Sequence, residues 1–234
     1  MMLKTLVIIP AFNERECIEN TIKEVQSACP EVDLLVVNDC SEDDTADILR
    51  RLRVPFLDLP VNLGIGGAVQ AGYRYALENG YEAAIQLDGD GQHDPRYLSE
   101  MVKTLENGDA DIVIGSRFLE KEGFQSSGAR RAGIRFLDRL IGLCSGVVVT
   151  DCTSGFRAVS AENIRLYAED YPVDYPEPEA IVQAALKGAR IREIPVVMRE
   201  RKTGSSSIRP LHSVYYMTKV SLAILLLRLG GKRA

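Results

Sequence analysis

Asp88 and Asp90 stand two positions apart in Ala84-Ile85-Gln86-Leu87-Asp88-Gly89-Asp90-Gly91-Gln92-His93-Asp94-Pro95, where an apolar run gives way to glycines. Carboxylates at i and i+2 project to one side of an extended chain, and the glycines admit a ligand close to the backbone. Hard oxygen ligands of this kind suit Mg²⁺ or Mn²⁺, which keep some waters and complete their shell with substrate phosphate oxygens. Such an ion would offset the charge on a departing diphosphate. Gln92 is within reach of the same ion, so Asp88, Asp90 and Gln92 form the candidate metal set. A bare Asp-x-Asp is common in solvated turns, and the apolar strand directly before this one gives it weight.

Two further segments set polar groups beside apolar runs. Leu34-Leu35-Val36-Val37-Asn38-Asp39 ends in an acid that could accept a hydrogen bond from a nucleobase N–H or a ribose hydroxyl, or could equally cap a helix. Asn62-Leu63-Gly64-Ile65-Gly66-Gly67-Ala68 puts glycines at the opening of a helix, whose N-terminal N–H groups could meet a nucleotide. This is not a P-loop, because no Gly-Lys-Ser/Thr follows. Nor is it a full Gly-x-Gly-x-x-Gly, because Val69 takes the last glycine's place.

The elements that must hold these residues can be read from apolar periodicity. Runs at 5–10, 33–38, 54–58, 83–88 and 111–115 have strand length, and helices are expected near 14–28, 42–53, 66–79 and 95–107. Four βα units in succession predict an α/β domain with a mostly parallel sheet flanked by helices. Ligands of such sheets sit at the carboxyl ends of the strands, where Asp39 and Asp88 fall. Ser41 with Asp44 resembles a capping box, and Asp94-Pro95 reads as an N-cap with proline at the first helical position. Beyond 120 the pattern loosens. It gives a Gly/Ser/Arg stretch at 123–133, helices at 134–145 and 179–188, a turn at 151–156, a strand at 192–198 and a basic loop from Arg199 to Ser207.

With 234 residues, 46% hydrophobic and 26% charged, the chain can bury a sizeable core, which excludes disordered, collagen-like and membrane-embedded classes. The net charge of -5 conceals a split: residues up to Leu186 carry 17 Lys+Arg against 31 Asp+Glu, and the remaining 48 carry 11 against 2. An acidic body with a basic tail predicts two partners, one of them an anion or anionic surface, and no nucleic acid is expected. Five cysteines without a CxxC pair predict reduced thiols and a cytoplasmic chain. Between Arg209 and Arg228 only Lys219 is charged, and the uncharged stretches on either side are too short to span a bilayer. The expectation is therefore a domain over 1–209 and an amphipathic helix over 210–234 that lies on a membrane surface or against a membrane-protein partner. Burial in the core or in a homo-oligomer contact is the other reading of that helix.

Val7-Ile8-Ile9-Pro10-Ala11-Phe12-Asn13-Glu14, Val36 to Asp39 with Ser41 and Thr45, Asn62 to Ala68, Asp88 to Pro95, Gly115-Ser116-Arg117 and Thr153-Ser154-Gly155-Phe156-Arg157 together form an ordered set. The set resembles the family 2 glycosyltransferases of the GT-A fold, specifically the polyprenyl-phosphate sugar transferases of the dolichol-phosphate mannosyltransferase type. The resemblance runs over residues 4 to 210. It implies a Rossmann-like domain, a nucleotide-diphosphate sugar donor, a polyprenyl (dolichyl or undecaprenyl) phosphate acceptor, Mg²⁺ or Mn²⁺ as cofactor, and work at the cytoplasmic face of a membrane. Glu177-Pro178-Glu179 departs from the dolichol pattern and looks more like the cell-surface polysaccharide branch.

Residue by residue, the resemblance puts Pro10, Phe12 and Glu14 around the base and ribose, with Asp39 on the base and Gly67 nearby. It puts Asp88 on ribose or metal, Asp90 and Gln92 on the ion, and Arg117 on donor or acceptor phosphates. The loop Arg199 to Ser207 matches one that closes on the diphosphate, with Arg201 beside the leaving group. Arg130 and Arg131 are the candidate ligands of the acceptor phosphate. Glu179 is the candidate general base, although a phosphate acceptor is already ionised and needs none, so orienting the sugar is its other role. Transfer to a sugar hydroxyl of a lipid-linked glycan, with Glu179 as base, is the alternative. A phosphatase of the haloacid dehalogenase type would want Thr or Val where Gln92 stands. A binding module without turnover sits poorly with intact Asp88, Asp90 and Arg117.

Overall fold

The structure is a computed structural model, and it describes residues 3–120, 122–123, 128–200 and 210–230. Strand β1 (Thr5–Ala11) is buried at every residue, as its unbroken apolar run requires of a strand covered on both faces. It pairs in parallel with β2 (Asp33–Asn38) on one side and β4 (Ala83–Gln86) on the other. Helices α1 (Ile18–Ala28) and α2 (Thr45–Leu52) carry the chain outward from β1 through β2 to β3 (Phe56–Asp58). Helix α3 (Gly64–Glu78) then returns it to the far side of β1. The strand order β3-β2-β1-β4-β6-β5-β7 therefore switches direction between β1 and β4, and a crevice opens beyond their carboxyl ends.

The remaining sheet is built from β5 (Ile112–Ser116), β6 (Arg157–Ser160) and β7 (Ile191–Pro195). All strands run parallel except β6, which lies antiparallel between β4 and β5. Neither β6 nor the following α6 (Ala161–Glu169) is among the elements expected from periodicity. The reason is local: β6 is four residues long and opens on a fully buried arginine. Arg157 is tolerated there because its guanidinium donates to the Ser154 carbonyl at 2.6 and 3.2 Å and to the Glu177 carbonyl at 3.1 Å.

A short 3₁₀ turn (Pro95–Tyr97), α4 (Leu98–Glu106), α5 (Gly128–Ser145) and α7 (Pro176–Leu186) complete the domain. Asp94 caps the 3₁₀ turn as expected, accepting from the Arg96 amide at 3.0 Å. Ser41 does not cap α2; its hydroxyl accepts the Asn13 amide at 2.9 Å instead. Two apolar layers sandwich the sheet. One gathers Val7 and Ile9 with residues of α1 and α4, and the other gathers Leu6 and Ile8 with residues of α3, α5, α6 and α7.

The C-terminal helix α8 (Pro210–Gly230) lies on α5 and α7. Val220 and Ile224 enter the second apolar layer, each worth about 1.5–3 kcal/mol when fully buried. The Tyr216 ring meets Tyr175 edge-on at 4.6 Å, and Lys219 pairs with Asp174. Leu222, Leu225, Leu226 and Leu229 remain exposed on its outer side, so α8 is apolar toward both the domain and the solvent. Among the described residues no helix is long and apolar enough to cross a membrane.

Candidate functional site

The crevice between β1 and β4 is a cleft of about 1060 Å³. The loop after β1, from Pro10 to Glu16, forms one wall; Asp39, Glu42 and Asp43 after β2 form another; Asn62, Gly64, Ile65 and Ala68 open α3 beside them; and Asp88, Gly89 and Asp90 lie at the base. The first two loops are stitched together. Asn13, at φ 56°, donates its amide to Ser41 and accepts the Glu42 amide at 2.8 Å, while Glu14 donates to the Thr45 hydroxyl at 3.0 Å. Asp39 is buried and accepts the Leu63 amide at 2.7 Å through Oδ1, which fixes the start of α3 against the end of β2.

Strand β4 stops at Gln86, so Asp88 stands in a turn rather than in the sheet. Its carboxylate accepts the Gln86 side-chain amide at 3.3 Å, and its backbone N–H donates to His93 Nδ1 at 3.1 Å. His93 is buried and stacks on Phe156 with ring centroids 5.0 Å apart, so it braces the turn from behind. Asp90 accepts the Gln92 amide at 3.0 Å, and Gly91 allows the turn by adopting φ +74°. The Thr21 hydroxyl on α1 donates to the Gly89 carbonyl at 3.2 Å.

Gly155 faces this carboxylate. A Cβ there would lie 2.9 Å from Gln86 Nε2 and 3.2 and 3.3 Å from the Asp88 oxygens. Gly155→Ala is therefore expected to displace Asp88 and lower turnover by about 10²-fold, the scale of an ångström-sized misplacement. Steady-state kinetics with a melting curve checks this: a wild-type rate, or a loss explained by unfolding, contradicts it.

Arg117, Arg130 and Arg131 are not among the residues that line the cleft. Arg117 is buried and forms a two-pronged ion pair with Asp151, Nε to Oδ2 at 2.6 Å and Nη2 to Oδ1 at 2.5 Å, with Thr153 Oγ1 at 2.8 Å from Nη2. Glu193 in turn accepts the Thr150 and Asp151 amides at 2.9 Å. Arg117 and Arg131 both lie over the Phe118 ring, at 5.2 and 5.1 Å from its centroid. Partial burial and the nearby charge of Arg117 push the Arg130 guanidinium below its usual range.

The sequence profile of glycosyl transferase family 2 matches residues 6–165, more than half of the chain and the whole of the cleft. The chain belongs to this family. This glycosyltransferase is 32% identical over 220 residues to the undecaprenyl-phosphate mannosyltransferase of Micrococcus luteus, with 88% of each chain covered. It is 28% identical over 213 residues to the UDP-N-acetylglucosamine–dolichyl-phosphate N-acetylglucosaminyltransferase of Methanococcus voltae, covering 81% of this chain and 83% of the relative. Its fold matches glucosyl-3-phosphoglycerate synthase from Mycobacterium tuberculosis, crystallised with Mn²⁺, UDP and phosphoglyceric acid. The TM-score is 0.73 at 20% identity, over 97% of this chain and 79% of that one. The GT-A architecture expected from the sequence is the one observed.

Of the residues singled out in the sequence of this glycosyltransferase, Pro10, Phe12, Glu14, Asp39, Asp88 and Asp90 line the cleft together. Gly67 and Gln92 do not. A Cβ on Gly67 would lie 2.4 Å from the Leu63 Cβ, so that glycine serves the helix start. The Gln92 side-chain amide donates to the Arg199 carbonyl at 3.3 Å and its own carbonyl accepts the Arg199 amide at 2.9 Å, which ties the turn to the stem of the basic loop. Arg199 also pairs with Glu24 and, at 3.3 Å, with Asp94. Burial would push the Asp94 carboxyl up, but the Arg96 hydrogen bonds and the Arg199 charge hold it below the usual range. Arg201 lies outside the described residues.

The two acids of Glu177-Pro178-Glu179 part company on α7. Burial raises both carboxyls. Glu177 then feels the charges of Arg157, Asp88 and Arg117, and Glu179 those of Asp170 and Lys219. Residues two apart on a helix point about 200° away from each other, a signal present in the spacing once α7 is taken to start at Pro176.

Proposed function

We propose that this glycosyltransferase moves a sugar, with inversion, from a nucleotide-diphosphate sugar to a polyprenyl phosphate. The observation that carries this reading is the Asp88/Asp90 turn at the base of a nucleotide-sized cleft, in a chain whose relatives bear polyprenyl- and dolichyl-phosphate transferase names. Phe12, 46% exposed on the rim, offers an apolar face to the base, and Asp39 and Glu14 offer acceptors to its N–H groups and to the ribose hydroxyls.

The charge of the cleft bears on the cofactor. Among the described residues Glu14, Glu16, Asp39, Glu42, Asp43, Asp88 and Asp90 line it with Arg15 as the one cation, a lining that favours a cation beside the diphosphate. Among the described residues no three His, Cys, Asp or Glu side chains converge to hold an ion unaided. Two carboxylates completed by substrate phosphates is the arrangement Mg²⁺ and Mn²⁺ accept, and Gln86 Oε1, buried without a hydrogen-bond partner among the described residues, leaves a further oxygen beside Asp88. Asp88 and Asp90 would hold such an ion, which supplies neutralising charge to the leaving diphosphate.

The chain's own groups do the rest. The acceptor phosphate, drawn by Arg130 and Arg131, attacks the anomeric carbon in line while the cleft fixes the donor, and Arg201 adds charge at the leaving group. Glu179 orients the sugar or serves as base as the sequence suggests, and Glu177, under the charge of Asp88, is a second candidate for orienting it. Because a phosphate acceptor needs no deprotonation, Glu179→Gln and Glu177→Gln are each expected to cost about 10-fold in kcat, with no change in the form of the pH–rate profile. A loss of about 10³-fold in either, confined to the limb above the carboxylate range, would assign that glutamate as a base and shift the acceptor to a sugar hydroxyl. The reading as a whole is tested by transfer of label from nucleotide sugars to undecaprenyl or dolichyl phosphate with Mn²⁺. Label appearing only on glycan hydroxyls would refute the lipid-phosphate acceptor.

The exposed leucines of α8 and the basic residues that follow them suit the surface of an anionic bilayer, where the lipid acceptor resides.

A further inference from the structure

Residues 170–175, which join α6 to α7, touch α3 on one side and α8 on the other. Toward α3, the Tyr171 ring packs edge-on against Tyr73 with centroids 5.4 Å apart, and the Pro172 and Val173 carbonyls lie against Gly66. A Cβ on Gly66 would meet those two oxygens at 2.2 and 2.3 Å, so only glycine admits the segment there. Toward α8, Asp174 pairs with Lys219 and the Tyr175 ring meets Tyr216 edge-on. The Gln183 side chain holds the near end, donating to the Asp170 carbonyl at 3.2 Å and to its carboxylate at 2.7 Å.

The backbone of Tyr175 shows that neighbours impose this path. It precedes α7 at φ 53° and ψ 57°, whereas a residue in that place is usually extended, and Pro176 directly after it favours an extended backbone as well. In the left-handed region the Cβ of a bulky residue crowds the carbonyl oxygen, so the conformation persists only where the surroundings over-determine it. The Tyr216 ring and the Lys219 charge supply that constraint from α8. What the segment holds on its other side is the start of α3. Gly64, Ile65 and Ala68 line the cleft, and Gly66 between them is the contact point. Asp39 fixes the Leu63 amide just before this stretch, and Gln70 and Arg74 just after it donate to the Tyr167 and Ala168 carbonyls of α6. Residues 64–68 are thus the part of α3 that leans on 170–175.

We infer that Tyr175, Tyr216 and Lys219 are positioning residues of the cleft: α8 holds segment 170–175 in place, and that segment sets the position of Gly64, Ile65 and Ala68. Helix α8 then supports the cleft wall from the far side of the segment, in addition to covering α5 and α7. That a nucleotide occupies the cleft rests on the function proposed above, whereas the coupling of α8 to the start of α3 does not.

Two measurements on the full chain read the coupling: titration with UDP, GDP and TDP in the presence of Mn²⁺, and hydrogen exchange without ligand. Tyr216→Ala is expected to weaken binding of the nucleotide that the wild type holds by about 5-fold, the scale of one aromatic pair, and to raise the donor KM by the same factor with kcat and acceptor KM unchanged. Amides 68–70, the first with acceptors inside α3, should exchange about 5-fold faster. Tyr216→Phe keeps the ring and should behave as the wild type. Gly66→Ala should weaken binding further, and adding Tyr216→Ala to it should change little more, because both act through the same segment. A simple sum of the two effects would mean separate routes and overturn the proposal. Wild-type exchange at amides 68–70 in Tyr216→Ala, or undiminished binding of a nucleotide that the wild type holds, would overturn it too. A wild type that binds none of the three nucleotides, with the faster exchange present in Tyr216→Ala, would defeat the donor reading and leave the coupling standing.

Discussion

Replacing Asp90 by alanine is expected to lower kcat/KM for sugar transfer by about 10³-fold, the upper range for removing one preorganised electrostatic group from a reacting centre. Asp90 does two things in the structure, because its carboxylate lines the cleft and its Oδ1 accepts the Gln92 amide at 3.0 Å to shape the turn. Asparagine separates them. Asp90→Asn keeps an oxygen for the Gln92 amide but not the charge, so it should fall nearly as far as the alanine variant if the carboxylate holds a cation against the diphosphate. A thermal-shift comparison gives a readout apart from activity. The stabilisation of the wild type by a nucleoside diphosphate should depend on Mn²⁺ or Mg²⁺ and be erased by a chelator, and Asp90→Asn should lose that dependence. An Asp90→Asn enzyme with near wild-type rate and intact metal-dependent stabilisation would restrict Asp90 to turn geometry.

The donor half of the proposed site is legible in the sequence for a physical reason. Each of β1, β2 and β4 is an apolar run that ends where polar residues begin, and chain direction then brings Pro10 to Glu16, Asp39 and Asp88 to one edge of a parallel sheet. Local pattern and tertiary position agree there. They part in the acceptor half. Strand β6 carries an arginine whose burial is made tolerable by the Ser154 and Glu177 carbonyls, groups that no periodicity reveals. Gln92 reads as a metal ligand from its nearness to Asp90, and periodicity does not reveal that its side-chain N–H group also donates to the Arg199 carbonyl, more than 100 residues away in sequence. The choice between Glu177 and Glu179 depends on the rotation of α7 about its own axis, which packing sets. Helix α8 reads as amphipathic only if it has one apolar side, whereas Val220 and Ile224 are buried and Leu222 and Leu226 are exposed.

The second large effect is on stability. Asp151→Ala is expected to destabilise the fold by about 3–5 kcal/mol, because it leaves the Arg117 guanidinium buried without its counter-charge. At about 2–4 °C for each kcal/mol in a chain of this size, the melting temperature should fall by roughly 6–20 °C. Arg117 and Asp151 are 6% and 0% exposed, and they meet through two hydrogen bonds in fork geometry, so water cannot replace the lost carboxylate cheaply. The charge also reaches Asp88, since Asp151 first and then Cys152 and Asp88 act on Arg117 to hold its proton against the effect of burial. Thus the pair is a strut between the end of β5 and the loop before β6, and turning Arg117 onto a phosphate would require leaving Asp151. Two further variants separate strut from ligand. Arg117→Met combined with Asp151→Ala removes the stranded charge and should recover much of the lost stability, although not the activity. Arg117→Lys keeps the charge but not the fork, and should lose stability as well as rate. If Asp151→Ala melts within about a degree of the wild type while Arg117→Lys loses only rate, Arg117 acts on phosphate directly and the strut is wrong.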